Sequence, residues 1–419
     1  MARILILMST RTYRAEAFLK AAGRLGVAVT VGTEIDQPIL NLFPGATIAL
    51  DLRHPRRALQ EILEFAREFP IEAVVGVDDD TTMPAAMAAE ALGLPHNSVE
   101  SVKASRYKDV MRLILAETDL NTPEFQLVKV DDDPLAVASR VSYPCVVKPL
   151  SLSASRGVIP ADGPTEFAAA FREVVDILGE AELEPDDPAA QQVLVESFIP
   201  GREFALEGLL RGGELTVLTL FDKPDPLDGP YFEETIYVTP SRLPEQAQTS
   251  IAEAASKAAA ALGLREGPIH AEVRLNEAGP WVIEVAARSV GGLCSNSLRF
   301  DFELSLEEII LRHAAGLEIA SLQRERQAAG VMMIPIPKGG VLFEVRGLAE
   351  AGAVAGIQDV KISIPRGQEV VPLPRGTKYL GFIFARAETP EAVEAALRAA
   401  HSHLEFEIRP IAVALQGHA

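Results

Sequence analysis

The segment His270-Ala-Glu-Val-Arg-Leu-Asn-Glu-Ala-Gly-Pro-Trp-Val-Ile-Glu-Val-Ala-Ala-Arg288 alternates in a way that specifies a β-hairpin with two carboxylates on one face. Ala271, Val273 and Leu275 alternate with Glu272 and Arg274, and Trp281, Ile283 and Val285 alternate with Val282, Glu284 and Ala286. That is the period of two expected of a half-buried strand. Asn276 to Gly279 supplies the turn. A one-residue slip exchanges the faces of a strand, so the register that keeps the large apolar residues together is centred near Ala278, and it sets Glu272 opposite Glu284. Directly opposed side chains have Cβ atoms about 5 Å apart, where two like charges repel unless something neutralises them. A divalent cation would do so. The competing reading is a solvated hairpin face on which two Glu residues fall together by chance.

Working outward, nearly half of the 419 residues are hydrophobic, which suits a globular chain of two to four modules and argues against disorder. The formal charge of −20, with no long run of Lys or Arg, argues against nonspecific nucleic-acid binding, which rests on neutralising phosphates with clustered cations. Small-molecule partners are expected instead. Cys145 and Cys294 are the only cysteines and have no CxxC spacing, so neither a disulfide framework nor a thiolate metal site is expected, and a reducing compartment is. The apolar run behind Met1, ending at Met8, is too short for a signal-peptide core or a membrane span and reads as a buried first strand. A cytoplasmic protein without membrane attachment is the expectation.

From residue 1 to about 100, short apolar strands (Ile4 to Met8, Val27 to Val31, Ala73 to Val77) alternate with helical segments (Thr12 to Leu25, Pro55 to Phe69). This is the pattern of an open parallel α/β unit. Asp78-Asp-Asp80 follows the third of these strands, at the carboxyl end where such sheets take ligands, but helix capping accounts for it too, and it is left outside the expected site. No GxGxxG follows the first strand, which removes the main support for a dinucleotide-dependent oxidoreductase. Ser98 to Glu117 reads as two helices around Lys108, Pro144 to Pro149 as a strand, Glu166 to Leu178 as an amphipathic helix and Glu180 to Pro188 as an acidic loop.

Lys148 ends the strand Cys145-Val-Val-Lys148, and Leu150-Ser-Leu-Ser-Ala-Ser-Arg-Gly-Val158 follows Pro149. That run of small and hydroxylic residues can offer backbone N–H groups and hydroxyls to a phosphate. It lacks the Walker pattern, and an ordinary Ser-rich loop explains it equally well. Further on, Glu203, Ala205 and Glu207 share one strand face while Phe204 and Leu206 share the other.

In this order the elements resemble the ATP-grasp superfamily, over roughly Lys103 to His313, with the preceding α/β unit in the place of its N-terminal domain. The resemblance implies a fold of α/β and α+β modules: an open parallel α/β domain over 1–102, a two-lobed ATP-grasp domain over 103–316 and a C-terminal α+β subdomain over 317–419. It implies that Lys108 and Lys148 contact ATP phosphates and that Ser153, Ser155, Arg156 and Gly157 belong to a mobile flap over the β- and γ-phosphates. Glu196, Phe198 and Ile199 would lie at the adenine edge, the last two through their backbone groups, and Glu203 would hold the ribose hydroxyls. Glu272 and Glu284 would bind Mg²⁺, with Mn²⁺ able to stand in. Arg288 would hold the transferred phosphoryl group or the acyl phosphate, as the catalytic residue. Where the family commonly has an Asn metal ligand two residues after the second Glu, this chain has Ala286, which leaves the number of metal ions open.

Ser153-Ala-Ser-Arg-Gly-Val158 and Ile283-Glu-Val-Ala-Ala-Arg288, followed by Gly291-Gly-Leu-Cys294, most resemble the L-amino-acid ligase and carnosine-synthase-like carboxylate–amine ligases. That resemblance implies attack of a carboxylate on the γ-phosphate of ATP, an acyl phosphate, its capture by an amine, and release of ADP and phosphate. Amino acid substrates, dipeptide products and a homodimer are family-level expectations. A biotin-carboxylase-like or purine-pathway ATP-grasp enzyme is the alternative, with the Ser-rich flap arguing against the biotin enzyme. A noncatalytic nucleotide-binding protein is a third reading, opposed by the retained Lys148, Glu272, Glu284 and Arg288. No catalytic nucleophile is evident, and His270 reads as a packed residue rather than a base. Phe221 to Glu234, Pro-rich and charged, is either a substrate wall or a solvated loop. The C-terminal hundred residues read as α+β, with strands Val331 to Ile336 and Val341 to Val345 and a helix Pro390 to His403 leading into Phe406 to Pro410. Lys338-Gly-Gly340 and Arg375-Gly-Thr-Lys-Tyr379 stay outside the expected site, because turn chemistry accounts for their glycines.

Overall fold

The computed structural model describes residues 3–35, 44–181, 183, 184 and 187–411. They form two compact units, each assembled from three separate stretches of chain: residues 1–123, 199–221 and 241–326 in one, and 124–198, 222–240 and 327–419 in the other.

In the first unit the opening apolar runs form a parallel sheet in the order Thr47–Ala49, Ala28–Thr33, Arg3–Leu7, Ala73–Gly76. The helices Ala15–Leu25 and Pro55–Glu68 lie where the periodicity put them, the second opening on a Pro whose missing N–H is harmless at that position. Leu5, Leu7, Ala58, Ile62 and Ala88 close the core. Asp78 is the N-cap of the helix Asp79–Ala91, and its backbone N–H donates to Thr81 Oγ1 at 3.0 Å.

The same unit holds antiparallel strands in the order Gly279–Ala286, Gly267–Asn276, Arg202–Arg211, Glu214–Asp222. The hairpin departs from simple alternation. Near its turn Arg274 faces Trp281 and Val273 faces Val282; a bulge then admits Ile283, and Glu284 stands opposite Glu272 as expected. The tight turn sets the register at one end: Asn276 Oδ1 accepts from Ala278 N at 2.9 Å and from Trp281 Nε1 at 3.1 Å, and Gly279 has φ 101°. A bulge sets two residues of one strand against one of the other. Val282 and Val285 are therefore the fully buried pair, whereas Trp281 and Ile283, expected on the core face, are half-buried. Beneath them Ile269, Ala271, Val273, Phe204 and Leu206 pack against Ile251, Ala254, Ala255, Ala258 and Ala259 of the helix Glu245–Ala261. Alanine gives that helix high intrinsic propensity and lets it approach the sheet closely. Met111 and Leu115 join the same core and fix the helix Lys108–Ala116, which follows Val99–Arg106.

The second unit has an antiparallel sheet in the order Phe125–Lys129, Gln192–Ser197, Cys145–Pro149, Ile159–Ala161, covered by the helix Pro164–Glu180. A further set runs Ile236–Thr239, Ala328–Ile334, Gly381–Ala387, Ile357–Ile362, against which the helix Pro390–Ser402 packs Val393, Leu397 and Ala400. Glu369–Val370, Gly340–Arg346 and Glu405–Arg409 make a small third sheet. Within the acidic segment Glu180 to Pro188, Glu182, Pro185 and Asp186 lie outside the described residues, and Pro188–Gln191 is a short helix. Cys145 and Cys294 are buried and unbridged, and burial lifts the Cys145 pKa to about 12. Among the described residues no helix is long and apolar enough to cross a membrane.

Candidate active site

The bulge turns Glu284 toward Glu272, and both carboxylates keep partial exposure, 26% and 21%. Two cations stand against them. Lys108, the first residue of its helix, brings Nζ to 3.6 Å from Glu284 Oε2, and His270 Nε2 lies 3.5 Å from Glu272 Oε1. His270 Nδ1 is bonded to Glu207 Oε1 on the neighbouring strand, directly opposite in register, and Glu207 Oε2 accepts from Val290 N at 2.9 Å. Burial alone would lower the His270 pKa, but Glu207, backed by Glu272, outweighs it and lifts the pKa to about 9. Glu207 and Glu272, on either side of the ring, thus favour the charged imidazole.

Arg288 lies beyond the hairpin in the same unit. Its Nε and Nη2 donate to Asp79 Oδ1 and Oδ2 at 3.0 and 2.9 Å, and Nη1 donates to Ser289 O at 3.1 Å. Burial disfavours both charges. Their mutual attraction prevails: Arg288, with help from Arg106 and Lys108, pulls the Asp79 pKa down to about 2, while Asp79 and the nearby Glu284 and Glu207 raise that of Arg288. The Asp triplet therefore does more than cap. Asp78 serves the helix, and Asp79 serves the arginine.

Glu203 is opposite Arg274 and accepts from its Nε at 2.9 Å, while Arg274 Nη1 donates to Ile199 O at 2.8 Å. Any ribose hydroxyl reaching Glu203 would share it with this arginine. The pairing joins strands far apart in sequence, so periodicity within either strand does not show it.

In the second unit Lys148 Nζ meets Glu196 Oε2 at 2.5 Å, and the two side chains are only 6% and 4% exposed. Phe198 N donates to Pro144 O at 3.0 Å, and the Phe198 ring stacks on Phe232 at 6.3 Å. The Pro-rich segment thus places an aromatic against the residue expected at the adenine edge. Ser153 to Gly157 form a turn in which Ala154, Ser155 and Gly157 have φ of 57°, 55° and 72°. Left-handed backbone is unfavourable for the first two by about 1–2 kcal/mol each. The turn is tied down: Gly157 N donates to Pro374 O at 2.8 Å, and Arg156 Nη2 lies 4.0 Å from Glu180 Oε2. Next to Pro374, Arg375 grips Glu173 through Nε and Nη2 at 2.7 and 2.9 Å and also pairs with Glu180. Gly376 is required by its turn, since a Cβ there would sit 1.9 Å from Val371 O.

The first unit therefore gathers Lys108, Glu272, Glu284 and Arg288, and the second unit gathers Lys148 with Glu196 and holds the turn Ser153 to Gly157. Three family models match successive stretches: an ATP-grasp N-terminal domain over residues 19–96, an ATP-grasp domain over 141–297 and an L-amino acid ligase C-terminal domain over 332–409. The chain belongs to the ATP-grasp superfamily. The crystal structure of an L-amino acid ligase from Bacillus licheniformis matches this ATP-grasp ligase with a TM-score of 0.79 and 28% identity, over 98% of this chain and 99% of that one. Alanine–anticapsin ligase of Bacillus subtilis (strain 168) is 26% identical over 60% of this chain and 56% of its own length, and carnosine synthase 1 of Gallus gallus is 25% identical over 73% of this chain and 34% of its own. The match thus spans about half of the first of these two relatives and a third of the second. Position 286 in this ATP-grasp chain is a buried Ala paired with His270 across the hairpin, so it supplies no oxygen ligand.

Proposed function

We propose that this ATP-grasp ligase activates the carboxylate of one amino acid with ATP and joins it to the amino group of another, releasing ADP and phosphate. The observation that carries the reading is the half-buried guanidinium of Arg288, held by Asp79 within electrostatic reach of Glu284, which stands opposite Glu272. Phosphoryl transfer depends on positioning and charge stabilisation more than on a side-chain nucleophile. Arg288 steadies the negative charge of the transferred phosphoryl group and of the acyl phosphate. Lys148 and Lys108 bind phosphate oxygens, with Lys108 exchanging Glu284 for the nucleotide. Ser153, Ser155, Arg156 and Gly157 cover the phosphates, the backbone of Phe198 and Ile199 with Glu196 meets adenine, and Glu203 takes the ribose. Two facing, partly exposed carboxylates suit Mg²⁺, which prefers oxygen ligands and retains several waters. Mg²⁺, or Mn²⁺ in its place, would neutralise charge on the phosphates held there. The functional modules follow the order 1–102, 103–316 and 317–419.

Amino acid pairs with ATP should yield ADP and phosphate rather than AMP and pyrophosphate, and hydroxylamine should intercept the activated acyl group as a hydroxamate. Glu284→Ala should abolish turnover and the metal dependence of nucleotide binding while circular dichroism stays native. Formation of AMP, or stimulation by bicarbonate and by no amino acid in a broad panel, overturns the ligase reading.

A further inference from the structure

A guanidinium has five N–H donors in a rigid plane. In Arg288, Asp79 occupies one on Nε and one on Nη2, and Ser289 O occupies one on Nη1. Two N–H groups remain, one on each terminal nitrogen, with no acceptor among the described residues. Asp79 is well placed to dictate where they point. It opens the helix Asp79–Ala91 next to Asp78, which is itself tied down by Thr12 Oγ1 at 2.9 Å and Ser9 N at 3.4 Å. Helix capping does not need Asp79, because Asp78 is the N-cap. An acid in the first turn is favoured by the helix dipole, but that effect is indifferent to geometry, and a two-bonded fork to a residue 209 positions away is not. A carboxylate beside an amino acid site could instead receive the substrate ammonium group. Here Arg288, Arg106 and Lys108 already act on Asp79, which disfavours a further cation.

We propose that Asp79 is a positioning residue for the transfer step: by clamping one edge of the Arg288 guanidinium, it presents the two remaining N–H groups as a fixed pair to oxygens of the transferred phosphoryl group. The inference rests on the role assigned to Arg288 above. A fork free to rotate would still carry its charge but would lose its alignment, and small misplacements of a positioned group cost on the order of 100-fold in rate.

Asp79→Asn keeps the size of the side chain and replaces one acceptor by a donor facing Arg288. It should lower kcat for dipeptide formation and for hydroxamate trapping on the order of 100-fold, while KM for ATP and the affinity for a nonhydrolysable ATP analogue stay at wild-type values. Asp79→Glu should restore part of kcat. With Arg288→Lys, which keeps the charge but has no fork, adding Asp79→Asn should cause little further loss, because both changes remove the same alignment. Wild-type kcat in Asp79→Asn overturns the proposal, and so does a full additional loss in the Arg288→Lys background. If Asp79→Asn does not fold, Asp79→Ser carries the same comparison, and unfolding of both assigns the pair to stability alone and overturns it. Wild-type trapping by Arg288→Lys together with a slow Asp79→Asn sinks the role given to Arg288 itself. A slow Arg288→Lys with a normal Asp79→Asn sinks only the positioning role.

Discussion

Lys148 and Glu196 are so little exposed that removing either one leaves its partner's charge shielded from water and without this ion pair, a loss of about 3–5 kcal/mol. Lys148→Ala should therefore lower the thermal midpoint and also weaken a nonhydrolysable ATP analogue, because the same ammonium group is assigned to a phosphate. A variant that melts early yet binds the analogue normally removes Lys148 from the nucleotide site. Asp79 gives a second test at this scale. Its folded pKa is held near about 2, below the ordinary 3.8, so its contribution to stability is present above 3.8 and lost as the pH falls from there toward about 2. Melting curves of the wild type and Asp79→Asn should differ at neutral pH and converge across that window. A gap that persists at pH 2 would show that the carboxylate charge is not what stabilises the native state.

Among the elements, the hairpin shows what alternation can reveal and where it stops. It identifies both strands, the turn and the facing of Glu272 and Glu284, because these follow from period two and a turn residue. It does not reveal the bulge, since an extra residue on one strand changes the faces beyond it without altering composition. The consequence can be measured. Val282→Ser should destabilise the protein by about 2 kcal/mol and Ile283→Ser by less, because Val282 is fully buried and Ile283 is not. An uninterrupted ladder would give the reverse order in urea denaturation. Cross-strand partners from distant segments, such as Glu203 with Arg274 and Glu207 with His270, are equally hidden from periodicity within a strand. The polar face of Glu203 and Glu207 was legible, but the charges opposite them were not. Asp79 had a visible signal, since a cap needs one acid and the chain supplies three in a row.

For the whole molecule, the alternation of strands and helices identified three of the four strands of the opening sheet and, beyond residue 317, the strands Ala328–Ile334 and Gly340–Arg346 and the helix Pro390–Ser402, while Ile357–Ile362 and Gly381–Ala387 lie in a Gly- and Pro-rich stretch whose composition masks them. The interleaving of three chain stretches in each compact unit is a property of long-range packing and has no local signature. One product of that interleaving is the hold that Pro374 and Arg375 have on Gly157 and the helix Pro164–Glu180, across some two hundred residues of chain. Arg375→Ala should accelerate trypsin cleavage after Arg156, and a nonhydrolysable ATP analogue should slow it again; unchanged cleavage would show that the loop does not restrain the turn. The same contact bears on recombination between relatives. A chimera that borrows its final hundred residues inherits a new tether for the turn at Gly157. Such hybrids should keep turnover only when the donor's arginine meets acids equivalent to Glu173 and Glu180, so parents that differ in substrate can be crossed successfully only if these two charges are exchanged as a set with the arginine they hold.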